Sequence, residues 1–272
     1  MEPVTPAAKT AGTTQGTGTA QGTGTAGTAN TTGTARAAET AGAAGAAGTE
    51  EGARARSVPG TPVKAALFDL DGTLINSERR SMAMWSMLLD RHGVSHDEAV
   101  LRAFMGRRGR DVLAERADLF PGREIEDLIV EVLSFKDHPG LPDIVPVPGA
   151  AELIHAVAAH GSPIAVVTSA GRDWAEERLT RIGVRDLLDT LVSALDVTVG
   201  KPDPEGFLLA ASRLSVDPAD CVVFEDSIAG IAAAKAAGMA CVGIATTHAG
   251  TELAAADLVV ADLTGVAWPP ST

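Results

Sequence analysis

Cysteine is scarce in this chain: Cys221 and Cys241 are the only two in 272 residues. Both lie in apolar stretches, so they read as buried free thiols, and a disulfide framework is excluded. No apolar run approaches the roughly 20 residues that a membrane-spanning helix needs. The N-terminus also lacks the apolar core of a secretory leader. Positive charge is scarce as well, since 22 Lys and Arg stand against 35 Asp and Glu, leaving −13. That deficit excludes the basic footprint of a nucleic-acid binder and argues against an anionic membrane surface as partner. The six histidines are scattered, and none forms a zinc-binding spacing. These absences lead to the expectation of a soluble, cytoplasmic protein.

The first 60 residues lack something different. They contain no Leu, Ile, Phe or Trp, and 42 of them are Gly, Ala or Thr. Such a segment buries too little apolar surface to offset its ordering entropy, so residues 1–60 are expected to be a disordered tail. Its four acids and four bases cancel, which places the whole −13 on the remainder. Gly22, Gly24 and Gly27 match the dinucleotide fingerprint G-x-G-x-x-G, but no strand precedes them, and the match reads as coincidence. A downstream start near Val58 or Val63 would remove the tail.

Beyond Pro62 short apolar runs appear, at 64–70, 163–168, 190–193, 221–225, 240–244 and 258–261. Segments of helical periodicity at 149–159, 173–182, 204–214 and 227–237 alternate with several of them. This alternation predicts an α/β fold, with a doubly wound, Rossmann-like parallel sheet covered on both faces. Gly161, Gly183 and Gly238 fall where helix C-terminal caps take positive φ. From Arg79 to Val145 the pattern is helical throughout, with Met82, Trp85, Met87, Leu88 and Leu89 forming one apolar face. The expected organisation is a core of residues 62–78 and 147–268 interrupted by a small helical cap, 79–146.

In doubly wound sheets ligands bind beyond the carboxyl ends of the strands. Four segments should converge there: Asp69-Leu-Asp71-Gly72-Thr73, Thr168-Ser169, Gly200-Lys201-Pro202 and Glu225-Asp226. Four clustered carboxylates would repel one another unless a cation joined them, and an all-oxygen site favours a hard ion such as Mg²⁺. Lys201, Thr168 and backbone amides would hold phosphoryl oxygens, which is nearly all that phosphoryl transfer asks of a protein. Asp69, ionised beside the cation and Lys201, would be the nucleophile. Asp71 would protonate the leaving oxygen and later activate water.

Together with Asp203-Pro204 and Phe224–Ser227, these segments resemble, in order and at suitable spacings, the four motifs of the haloacid dehalogenase-like hydrolases. The likeness covers about residues 62–262, and the helical insert looks like that superfamily's cap. The resemblance implies Mg²⁺ bound by Asp69, Asp226, Glu225 (directly or through water) and the Asp71 carbonyl. It implies Asp69 as nucleophile and Asp71 as acid/base, with Thr168 and Lys201 on the phosphoryl group. The subgroup it suggests contains sugar- and polyol-phosphate phosphatases and β-phosphoglucomutase. Ser81 stands where the mutase has a cap-hinge histidine, and Ala170 and Gly171 stand where it grips a second phosphate. Thr168-Ser169 also differs from the Thr-Asn of phosphoglycolate phosphatases, and Asn76 departs from the Asp often found there.

The expected activity is therefore Mg²⁺-dependent hydrolysis of a small phosphorylated metabolite, a sugar or polyol phosphate, through an aspartyl-phosphate. A mutase, a phosphoglycolate phosphatase and a non-catalytic binding module are the alternatives. Arg107, Arg172 and Ser169 are expected to contact substrate. The alternative for the basic run Arg107, Arg108 and Arg110 is a solvated charged loop.

Overall fold

The computed structural model describes residues 63–270. The expected tail, and Gly22–Gly27 with it, lie outside them. Six parallel strands form one sheet: β1 (Ala65–Phe68), β4 (Ile164–Val167), β5 (Thr190–Val192), β6 (Cys221–Glu225), β7 (Ala240–Ile244) and β8 (Leu258–Val260), in the order β5-β4-β1-β6-β7-β8. Two further short strands, β2 (Ile75–Asn76) and β3 (Val145–Pro146), pair apart from it. β1 lies in the middle of the sheet, with later strands added on both sides, so it is fully buried between β4 and β6.

Alternation along β1 explains the two layers. Ala66 and Phe68 face a cluster with Leu153, Ile154 and Val157 of α5 (Ala150–His160) and Ala175 and Leu179 of α6 (Arg172–Arg181). Ala65 and Leu67 face the other way, onto Phe207, Ala210 and Ala211 of α7 (Glu205–Leu214) and Ile231, Ala233 and Ala234 of α8 (Ile228–Ala236). A strand buried on both sides reads as an unbroken apolar run, as 65–68 does. Phe68 and Phe224 stack across neighbouring strands with centroids 4.7 Å apart. Helices α5 and α6 terminate as expected near Gly161 and Gly183, each with positive φ.

The insert between β2 and β3 contains α1 (Glu78–Arg91), α2 (Glu98–Arg102), α3 (Gly109–Glu115) and α4 (Ile125–Ser134). It has its own apolar cluster, centred on Trp85, Leu88, Leu89, Phe104, Val112, Leu113 and Leu128. Trp85 stacks on Phe104 at 4.1 Å. The two linkers are not independent, because Ile75 pairs with Pro146 and Asn76 with Val145 in an antiparallel ribbon. Among the described residues no helix is long and apolar enough to cross a membrane.

Candidate active site

β1 ends at Phe68, so Asp69 leaves the sheet at its carboxyl edge, its amide still bonded to the Phe224 carbonyl (2.9 Å). β6 ends on Glu225, followed at once by Asp226. Because β1 and β6 are parallel neighbours in register, both acidic ends meet on one rim. Lys201 reaches in from the segment before α7 and donates to Asp69 Oδ1 and to Glu225 Oε2, the latter at 2.7 Å. All four side chains are buried.

Each acid is held by separate donors. The Ser227 amide and hydroxyl fix Glu225 Oε1 at 3.0 and 2.7 Å. Gly230 makes room for that carboxyl, which any side chain there would overlap. The Asp226 carboxyl accepts from Thr73 (2.9 Å) and Thr247. Gly72, with φ +92°, passes so close to Asp226 that a Cβ would collide with it. Asp71 points elsewhere: its Oδ1 accepts from Ser77 Oγ (2.6 Å) and Trp174 Nε1 (3.2 Å).

The electrostatics follow from burial. Burial raises the Asp69 carboxyl well above its usual range, with Glu225 and Asp226 adding to the shift and Lys201 opposing it. Burial likewise raises Asp226 strongly, helped by Glu225 and Glu78. Burial alone would lower Lys201, but Asp69 and Glu225 outweigh it and keep the ammonium charged. Asp69, Glu225 and Asp226 each offer an oxygen within 4.8 Å of the others, and one lysine cannot neutralise three acids. A buried, all-oxygen, net-negative donor set fits a hard divalent cation. The Asp71 carboxyl is not part of this triangle of oxygens.

The remaining expected residues are placed as follows. Thr168 Oγ1 accepts from the Ala170 amide (3.0 Å) at the end of β4. Ser169 Oγ donates to the Gly106 carbonyl in the cap loop (3.1 Å). Arg107 pairs with Glu115, and Arg172 pairs with Asp196 (2.8 Å) and donates to the Leu191 carbonyl. Neither arginine bonds to the carboxylate cluster. Arg108 is the buried one: it donates to Ala194, Val197 and Thr198 carbonyls of the core loop while paired with Asp111. The space among Arg108, Thr168, Ser169 and Lys201 is only about 20 Å³, enough for roughly one water.

Three site residues carry no sequence signal of their own. Glu78 in the first turn of α1 reads as a helix-dipole acid. It is nevertheless buried, its Oε2 has no partner among the described residues, and burial together with Asp71, Asp69 and Glu225 pushes it up to about 8. Trp174 reads as core, and Arg108 is not distinguishable from Arg107 without the fold.

A doubly wound sheet with a helical insert beside a lysine-bridged acidic rim defines an enzyme of phosphoester chemistry. The family model for haloacid dehalogenase-like hydrolases matches residues 63–238, and the chain belongs to that family. It is 49% identical over 206 residues to validoxylamine A 7'-phosphate phosphatase of Streptomyces hygroscopicus subsp. limoneus, covering 76% of this chain and 97% of that one. With fructose-1-phosphate phosphatase of Escherichia coli it shares 35% identity over 65% of this chain and 94% of that one. Among solved structures, β-phosphoglucomutase from Clostridium difficile superposes with a TM-score of 0.63 at 26% identity, covering 76% of this chain and 94% of that one. These likenesses and the site make it a phosphoric monoester hydrolase.

Proposed function

We propose that the protein hydrolyses a small sugar or polyol phosphate through an aspartyl-phosphate on Asp69. The observation that carries this reading is the Lys201 ammonium held between Asp69 and Glu225 at a closed, acidic rim. Asp69, Glu225, Asp226 and the Asp71 carbonyl would hold Mg²⁺. Bound there, the ion would neutralise the acids and supply charge stabilisation for the phosphoryl oxygens.

Lys201 and the Thr168 hydroxyl orient the phosphoryl group, and the closed cap excludes bulk water. An Asp69 oxygen bonds to phosphorus as the ester P–O bond breaks. The electron pair of that bond leaves with the alkyl oxygen, which takes a proton from Asp71. A water oxygen then bonds to phosphorus, one of its protons passes to Asp71, and the Asp69–phosphorus linkage opens. Asp71 suits both tasks: burial raises its carboxyl, while Ser77 and Trp174 hold it in place.

Glu78 supports the choice of a hydroxyl-rich substrate. Its unpartnered, buried carboxyl can exchange hydrogen bonds with hydroxyls, whereas a substrate carboxylate would add another acid to a crowded cluster. The relatives' names point the same way, since one carries fructose 1-phosphate and another validoxylamine A 7'-phosphate. The buried, unpaired Cys221 and Cys241 suit a reducing cytoplasm.

The test is phosphate release, with Mg²⁺, from fructose 1-phosphate, a hexitol phosphate, glycerol phosphate, validoxylamine A 7'-phosphate, phosphoglycolate and nucleoside monophosphates. Asp69→Asn serves as the blank. Preferred turnover of the hydroxyl-rich esters, abolished in the variant, is the expected result. Preference for phosphoglycolate, or isomerisation of hexose phosphates without phosphate release, would sink the assignment.

A further inference from the structure

Asp71 is gripped at one oxygen only. Ser77 Oγ and Trp174 Nε1 both donate to Oδ1, at 2.6 and 3.2 Å. Trp174 is the third residue of α6, six positions past Thr168, so the segment that cradles the phosphoryl group also delivers the indole. The guanidinium of Arg178, one turn further along α6, lies 4.2 Å over the ring and packs its plane in place.

Indole nitrogen donates and never accepts, so its contact with Asp71 fixes which atom of the carboxyl is the acceptor. With two donors on Oδ1, a proton placed there would have to displace one of them. Among the described residues no hydrogen bond reaches Oδ2.

We propose that Trp174 is a positioning residue for ester cleavage: with Ser77 it occupies Oδ1 of Asp71, so that Oδ2 carries the proton given to the departing alkoxide. The inference rests on the reading of Asp71 as acid/base and adds which oxygen acts and what aims it. An alkyl oxygen needs that proton as the P–O bond breaks, whereas p-nitrophenolate leaves without it. Misaiming Asp71 therefore penalises alkyl esters selectively.

The experiment measures kcat/KM of the full-length enzyme for p-nitrophenyl phosphate and for the alkyl phosphate that the wild type turns over fastest. Wild type, Trp174→Phe and Asp71→Asn are compared. The ratio of the two constants within one preparation is independent of the folded fraction, so partial misfolding cannot mimic the effect. Trp174→Phe keeps the ring and removes the N–H, and its expected loss is about tenfold for the alkyl ester and under about threefold for the aryl ester. Asp71→Asn is expected to show a larger selective loss, on the order of 10²-fold or more. Selective loss in Asp71→Asn with none in Trp174→Phe overturns the role of Trp174 and leaves the acid intact. An unchanged ratio in both variants overturns both readings.

Discussion

Gly106 in the cap loop and Ser227 at the start of α8 approach so closely that a methyl group on the glycine would overlap the Ser227 hydroxyl. Gly106 also has φ +69° and receives the Ser169 hydroxyl on its carbonyl. Three constraints therefore meet at one residue: left-handed backbone, steric contact with the acidic-rim segment, and a hydrogen bond to the Thr168-Ser169 segment. Gly106→Ala should act on closure more than on folding, because the apolar cluster of the insert takes Phe104 and Met105 just before it but no side chain from position 106. The left-handed conformation alone costs about 1–2 kcal/mol for a non-glycine residue. The expected outcome is a fall of roughly tenfold or more in kcat/KM for the sugar phosphate. Thermal unfolding should shift by only a few degrees. Unchanged kinetics would show that catalysis does not use this closed contact.

Arg108 gives the second prediction. Its guanidinium is shared by three core carbonyls, Ala194, Val197 and Thr198, while Asp111 holds its other edge with bonds of 2.7 and 2.9 Å. The planar fork makes this possible; an ammonium has three donors at a point and cannot span the same acceptors. Arg108→Lys should therefore weaken closure despite keeping the charge. The loss of one or two charge-assisted bonds, about 1.5–3 kcal/mol each before solvation of the open form, predicts a drop of at least tenfold in kcat/KM. Limited proteolysis near the paired linkers should also accelerate. Equal proteolysis rates would argue that the contact does not restrain the cap.

Much of this was legible before any fold was known, for a reason that also marks its limit. Asp69, Lys201, Glu225 and Asp226 come from three distant segments, yet strand-end position and residue chemistry were enough to group them. The apolar runs and helical stretches likewise reproduce β1, β4, β6, β7, α5, α6, α7 and α8 within a few residues. The linker ribbon was not legible: two residue pairs, one containing Pro146, are too short to show period-2 alternation. Arg107 stood out as a substrate contact because the run Arg107, Arg108 and Arg110 offers no local criterion. Only the fold turns Arg108 inward and leaves Arg107 on Glu115. Trp174 and Glu78 were hidden for the same reason, since aromatic helix residues usually signify core and first-turn acids usually signify dipole compensation.

The acidic rim gives the third prediction. Buried Asp69 and Asp226 are both raised above their ordinary values, so without a cation they are held in the fold at a cost near neutral pH. A ligand that binds only the folded chain stabilises it by RT ln(1 + [L]/Kd), about 2.7 kcal/mol at a hundred times Kd. Mg²⁺ should therefore raise the melting temperature of the wild type by several degrees. Asp226→Asn should melt no lower than the wild type in EDTA, because it removes a buried charge, keeps an acceptor for one of the Thr73 and Thr247 hydroxyls and offers its amide N–H to the other. It should also lose most of the Mg²⁺ response. A full Mg²⁺ shift in Asp226→Asn, read by differential scanning calorimetry, would remove Asp226 from the ion site.

The last prediction concerns Asp196, the acid on which Arg172 is held. Asp196 Oδ2 accepts from the Ser193 amide (2.8 Å), the Ser193 hydroxyl (2.6 Å) and Arg172 (2.8 Å), and Oδ1 accepts from Arg213 (2.9 Å). Burial alone would raise this carboxyl, but Ser193, Arg213 and Arg172 together outweigh it and hold it far below the usual range. The network shapes the loop whose Ala194, Val197 and Thr198 carbonyls receive Arg108, so it sets the core side of cap closure. A carboxyl depressed in the folded state stabilises the protein above its unfolded value, near 3.9, and that contribution fades as pH falls towards the folded value. Asp196→Asn should thus cost about 1–3 kcal/mol at pH 7, where charged acceptance is lost. The gap between variant and wild type should narrow steadily below about pH 4. Urea unfolding at pH 7 and at pH 3 measures both values, and a gap that does not narrow would mean that the carboxylate charge of Asp196 does not hold this loop.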